Sequence, residues 1–136
     1  MKTFYILLLT SALLFSVYGC KKEDTSVSGD TNNFPSMPHN PSPSDSATGI
    51  DDSSNVILSW VSSDPDIHDT LKFDVFAGST LPLSNVPLAA DLAAATYNMG
   101  VLTFPGTTYY WQVRARDNHG ATSTGEIWQF TIRTRP

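Results

Sequence analysis

Tyr109-Tyr110-Trp111-Gln112-Val113-Arg114-Ala115-Arg116 is the stretch that decides the fold. Tyr109, Trp111, Val113 and Ala115 fall on one side of an extended chain; Tyr110, Gln112, Arg114 and Arg116 fall on the other. A period of two marks a strand with one buried face. The same period recurs on either side. Leu71, Phe73, Val75 and Ala77 alternate with Lys72, Asp74 and Phe76, and Trp128, Phe130 and Ile132 alternate with Gln129, Thr131 and Arg133. Val56-Ile57-Leu58-Ser59-Trp60 is a further short apolar strand, followed by a polar loop from Ser62 to Thr70. Short alternating strands separated by turn-rich loops predict an all-β sandwich. Trp60, Trp111 and Trp128 point inward in this scheme and give a small core large buried area.

Towards the N-terminus the pattern weakens. Met37-Pro38-His39-Asn40-Pro41-Ser42-Pro43 is proline-rich and extended, suited to a first edge strand, where a missing N–H breaks no ladder. Leu88 to Ala95 has helix propensity but reads equally as two weak strands joined by a turn at Asp91. A sandwich needs strands there, at Val86–Ala90 and Ala95–Met99. Thr25 to Pro35 is rich in Ser, Asn and Asp and has too little apolar surface to offset its ordering entropy, so it reads as a flexible tether.

The first residues are of another kind. Lys2 precedes an apolar run from Phe4 to Val17, fourteen residues long. A permanent membrane helix needs about 20 residues, so the run describes a cleavable export signal. It ends in Val17-Tyr18-Gly19-Cys20, and Cys20 is the chain's single cysteine, which precludes an intramolecular disulfide. The alternative for a lone exported cysteine is a free thiol in a tail.

A nineteen-residue signal leaves 117 of the 136 residues, enough for one domain. All 13 acidic residues remain, against seven basic ones once Lys2 is removed. Such a chain lacks the basic footprint that nucleic-acid binding requires, and anionic lipid repels it. A protein face is therefore not expected to hold the chain to a membrane.

Val17-Tyr18-Gly19-Cys20 resembles the bacterial lipobox, with a bulkier residue than usual at Tyr18. The resemblance implies cleavage before Cys20 and two or three acyl chains on it. One chain anchors only marginally, at about 0.8 kcal/mol per buried CH₂, whereas two signals hold. Lys22-Glu23-Asp24, directly after that cysteine, resembles the surface-export signal of Bacteroidota lipoproteins; the alternative is a solvated charge cluster. The region from about Pro38 to Arg133 resembles a fibronectin type III or related immunoglobulin-like module. Leu58-Ser59-Trp60 matches its second-strand tryptophan. Leu102 followed by Pro105-Gly106-Thr107-Thr108-Tyr109 matches its tyrosine corner, with one extra residue before the proline. The resemblance implies a seven-stranded sandwich in which Tyr109 packs inward and its hydroxyl bonds upstream backbone. The expected organisation is a signal at 1–19, a lipidated tether at 20–36 and the sandwich at 37–136.

The fold hosts many functions, so activity must be sought in particular residues. The loops after the second strand and between the last two strands share one end of such a sandwich. That brings Asp64, Asp66, His68 and Asp69 towards Asp117, Asn118 and His119. Asp64, Asp66, Asp69, Asp117 and Asn118 offer the hard oxygens that calcium takes, in a spacing that resembles cadherin-type loops. The same residues also suit ordinary turn chemistry. On the sheet face, Phe76, Tyr110, Gln112 and Arg114 point outward and form a candidate ligand surface, or else a cross-strand pair that stabilises the sheet. No zinc-protease motif, nucleophile elbow or phosphate loop is present, and no cofactor is implied apart from calcium. The sequence therefore predicts a non-catalytic, lipid-anchored binding module at the outer membrane, facing outward and capturing a glycan or a protein. The alternative is a structural lipoprotein facing the periplasm.

Overall fold

The computed structural model describes residues 31–136; the signal at 1–19, Cys20 and Lys22-Glu23-Asp24 lie outside them. The described residues form nine strands: β1 (His39–Ser42), β2 (Ala47–Ile50), β3 (Asn55–Val61), β4 (Lys72–Gly78), β5 (Ala89–Leu92), β6 (Thr96–Val101), β7 (Thr108–Arg116), β8 (Thr122–Thr124) and β9 (Trp128–Ile132). One sheet has the order β1-β3-β6; the other is β2-β9-β7-β4-β5, with β8 also on β7.

Nine segments make the seven expected strands because the first and last are each broken in two. β1 lies antiparallel to β3, and the chain then crosses sheets so that β2 runs parallel to β9. At the other end, β9 pairs with the first half of β7 (Thr108 to Trp111) and β8 with the second (Arg114 to Arg116). In the break between them, the Gly125 N–H still donates to the Val113 carbonyl at 2.9 Å. Only glycine fits there, since a Cβ would stand 2.8 Å from the Pro38 carbonyl oxygen.

The alternation read from the sequence places the core. Val56, Leu58 and Trp60 of β3 face Phe73 and Val75 of β4, Trp111, Val113 and Ala115 of β7, and Trp128, Phe130 and Ile132 of β9, all buried. Trp60 meets Phe73 edge-on at 5.4 Å, and Trp111 meets Trp128 at 4.7 Å. Fully burying a large apolar side chain contributes roughly 1.5–3 kcal/mol, so these eleven residues carry most of the stabilisation. The Tyr109 ring stacks on Phe130 at 5.7 Å. Among the described residues its hydroxyl makes none of the expected backbone bonds. The corner is closed instead by backbone: Gly106 N–H donates to Ile132 O, and Ile132 N–H to Thr107 O.

Three expectations need correction. The weak stretch forms strands, but at 89–92 and 96–101, and the chain turns at 93–95 rather than at Asp91. Asp91 lies inside β5 with φ +58°, where its N–H donates to Asp74 Oδ1. Asp74, outward by alternation, is buried all the same. Arg114 Nε and Nη2 both bond its Oδ2, at 3.2 and 2.7 Å, so that the ion pair and the bulged β5 edge cover it together. Finally, residues 32–36 of the expected tether lie on the sandwich. Pro35 is buried. Ser36 N–H donates to Ser63 O at 2.7 Å, and Ser63 N–H donates back to Ser36 Oγ at 2.8 Å.

The end away from this strap is closed by a carboxylate that the sequence did not single out. The Asp52 side chain is fully buried and receives Arg133 Nε at 2.8 Å and Arg135 Nε at 2.6 Å. Arg135 lowers its pKa most, and Arg133 adds to this against the opposing effect of burial. The two ion pairs hold the last residues against the turn between β2 and β3.

Candidate functional site

Two regions carry the candidate residues. The first is the loop end where the strap lands. Asn32 Nδ2 donates to Asp117 Oδ2 at 2.8 Å. Asn33 clasps Asp66 with its backbone N–H at 2.7 Å and its Nδ2 at 3.0 Å. Asp117 Oδ1 accepts the N–H groups of His119 and Ala121, which folds the loop 117–121 around it. Asp69 Oδ2 lies 3.0 Å from His119 Nδ1, and Asn118 Oδ1 takes the Thr70 N–H. A cavity of about 430 Å³ opens between Asn32, Pro65–Asp69 and His119.

Its electrostatics follow from these bonds. The Asn33 N–H lowers the Asp66 pKa. Burial pushes Asp117 up, but Asn32 and three backbone N–H groups outweigh it and hold it below the usual carboxylate range. Hydrogen bonding to Asp69 raises His119. The strap's hold on the two carboxylates is present above the ordinary value of 3.8 and is lost as pH falls through the lowered one. The His119 tie has the opposite sign, being complete below 6.5 and lost as pH rises through the raised value.

The calcium donor set is thus brought together in part. Asp64, Asp66 and Asp69 place carboxylate oxygens within 4.8 Å of one another, and Asp69, Asp117 and His119 do likewise. Asn118 is turned to Thr70, and most of the carboxylate oxygens already accept protein donors. Asp64 Oδ2 is buried and has no hydrogen-bond partner. If this oxygen set takes calcium, millimolar calcium raises Tm and Asp66→Ala removes the rise; a melting curve unmoved by calcium ends that reading.

The second region is the outer face of the larger sheet. Register places Asp74 opposite Arg114, Phe76 opposite Gln112 and Gly78 opposite Tyr110. Phe76, Gln112 and Arg114 line an open groove of about 450 Å³, whereas Tyr110 is outside it. The Arg114 guanidinium sits 5.4 Å from the Phe76 ring centroid, so the aromatic face meant for a sugar is covered by a cation. Gln112 Nε2 is spent on Gly125 O at 2.8 Å.

The groove's other walls were not foreseen. Pro82, Leu83, Ser84 and Asn85 form one side, and Thr124 and Ile127 the other. The loop 79–88 folds back over the face, bringing Leu83 to 3.7 Å from where a Cβ on Gly78 would be. Its signal in the sequence was Leu81, Leu83, Val86 and Leu88 around Pro82 and Pro87, too apolar for a simple turn. A further depression of about 550 Å³ lies between Asn40–Asp45 and Glu126–Trp128, where Asp45 already accepts the Gln129 N–H.

No family model matches the chain, and no curated protein matches it. Solved structures do. An α-L-rhamnosidase from Dictyoglumus thermophilum matches at TM-score 0.61 and 17% identity, over 76% of this chain and 13% of that one. A Streptomyces avermitilis α-L-rhamnosidase matches at 0.50 and 20%, over 71% of this chain and 10% of that one. An Fn3-like protein from Clostridium thermocellum matches at 0.52 and 18%, over 76% of this chain and 99% of that one. The chain thus spans about an eighth of the first rhamnosidase and nearly all of the clostridial protein, and such identities speak for fold alone. Strand order, split first and last strands and these likenesses agree: residues 31–136 are a fibronectin type III-like sandwich.

Proposed function

We propose that this protein is a non-catalytic, lipid-anchored module of the cell surface that captures a glycan or protein ligand in the groove of Phe76, Gln112 and Arg114. The groove is the observation that carries this reading. It is preformed, with apolar walls and a few fixed polar groups, the usual make-up of a binding site. A domain of the same fold occupies a small share of two much longer glycosidases, which supports an accessory role over a catalytic one. Attachment through Cys20 and display through Lys22-Glu23-Asp24 rest on the sequence.

Antibody labelling of intact and permeabilised cells tests display. Intact cells label under this proposal, and replacing Lys22-Glu23-Asp24 by alanines makes labelling depend on permeabilisation. If the unaltered protein labels only after permeabilisation, the surface reading falls. The alternative then takes its place: a structural lipoprotein facing the periplasm.

A further inference from the structure

We infer that the sheet-face groove takes a neutral, hydroxyl-rich saccharide and not an acidic glycan or an extended peptide. This rests on the capture reading above and names the ligand class of that same site.

The backbone beneath the groove argues against a peptide. The floor is β7, which pairs with β4 along the whole of Lys72–Gly78. On its other side β7 pairs with β8, and its Val113 carbonyl accepts the Gly125 N–H. Peptides that add a strand to a sheet do so by main-chain hydrogen bonds at a free edge. This floor is mid-sheet and its backbone groups are already used, so recognition must run through side chains.

Those side chains suit a sugar. Ser84 and Thr124 bring hydroxyls and Asn85 and Gln112 bring amides, all able to pair with hydroxyl groups that both donate and accept. Gln112 keeps its carbonyl oxygen free of the Gly125 bond made by its Nε2. Pro82, Leu83 and Ile127 give apolar walls for the C–H faces of a pyranose ring.

Charge decides between neutral and acidic sugars. Arg114 is the one charged residue lining the groove, and its Nε and Nη2 are both committed to Asp74. Asp74, 6% exposed and in direct contact with the guanidinium, already neutralises it, so an incoming carboxylate meets a like charge beside the donors that Arg114 has left. It must also approach a chain of net charge −5. A neutral ligand meets neither obstacle.

The test uses the full-length protein on a glycan array carrying neutral hexose, deoxyhexose and pentose oligosaccharides beside oligogalacturonides, with a heptapeptide phage library in parallel. At least one neutral oligosaccharide binds, by a factor of about ten more tightly than any oligogalacturonide. Asn85→Ala and Gln112→Ala each weaken that binding by about fivefold to tenfold, the worth of one lost hydrogen bond. Ile57→Ser, on the outer face of the other sheet, leaves it unchanged. Asn85 is exposed in a loop, so its variant keeps the fold, as an unchanged Tm verifies. Oligogalacturonides bound as tightly as neutral sugars overturn the inference. Selected peptides whose binding is lost in Asn85→Ala, with no sugar bound, overturn it too but leave the capture reading standing. If neither array nor library yields a ligand sensitive to these substitutions, both fall.

Discussion

Trp111→Ala is expected to remove about 3–5 kcal/mol of stability, the usual cost of emptying a buried tryptophan site. The side chain is fully buried and lies between Trp128 at 4.7 Å and Trp60 at 6.4 Å. Together with the Trp60–Phe73 pair it joins the two sheets through aromatic contact. Small domains hold only about 5–15 kcal/mol in all, so the variant loses a large share of its stability. Trp111→Phe separates volume from polarity. Its indole N–H is buried without an acceptor, and an unmet donor costs about 1–3 kcal/mol. Deleting it offsets part of the lost packing, so the phenylalanine variant loses about 1–2 kcal/mol by the same principle. Urea denaturation followed by circular dichroism measures both, with Ile57→Ser as a surface control. A Trp111→Ala transition no lower than that control shows that the core is not organised around this residue.

What the sequence carried and what it withheld follow one physical division. Where one face of a strand is dry and the other wet, the period of two is written into the residues. β3, β4, β7 and β9 were legible for that reason, down to the inward Trp60, Trp111 and Trp128. The register that placed Arg114 beside Asp74 followed from pairing those strands. β5 and β6 lie at sheet edges and are half-exposed along much of their length, so no alternation fixed their bounds and the turn was misplaced. Burial by side-chain pairing leaves no period at all. Asp52 and Asp74 are buried because distant arginines reach them, and no local period announces that burial, although strand pairing does bring Arg114 to Asp74. The strap at Asn32–Ser36 was hidden similarly: its composition is that of a disordered segment, and only the carboxylates of two distant loops give its amides somewhere to bond. Half the groove was unread because a loop that folds back over a sheet has no periodic signature.

The other large effect concerns attachment. Cys20→Ala is expected to abolish acyl labelling and to remove the protein from the outer-membrane fraction. Two or three chains, each methylene contributing about 0.8 kcal/mol, make a lasting anchor. The acidic chain offers nothing to replace it, because anionic lipid repels a net charge of −5. Bare membrane association is the wrong readout. An unprocessed precursor can stay at the inner membrane through its apolar run from Phe4 to Val17, so acyl label and outer-membrane location must be followed together. An anchor on Cys20 would also orient the domain. Eleven residues separate Cys20 from Asn32, and these twelve steps reach at most about 43 Å, at 3.3–3.6 Å each. Asn32 and Asn33 are bound to Asp117 and Asp66, so the loop end is drawn towards the bilayer. With the lipid on Cys20, the end closed by Asp52, with Arg133 and Arg135, would point away from the membrane. Metabolic labelling with a palmitate analogue and membrane fractionation measure the effect. Wild-type protein without label, or a Cys20→Ala protein that keeps it, removes the lipid from Cys20 and this orientation with it.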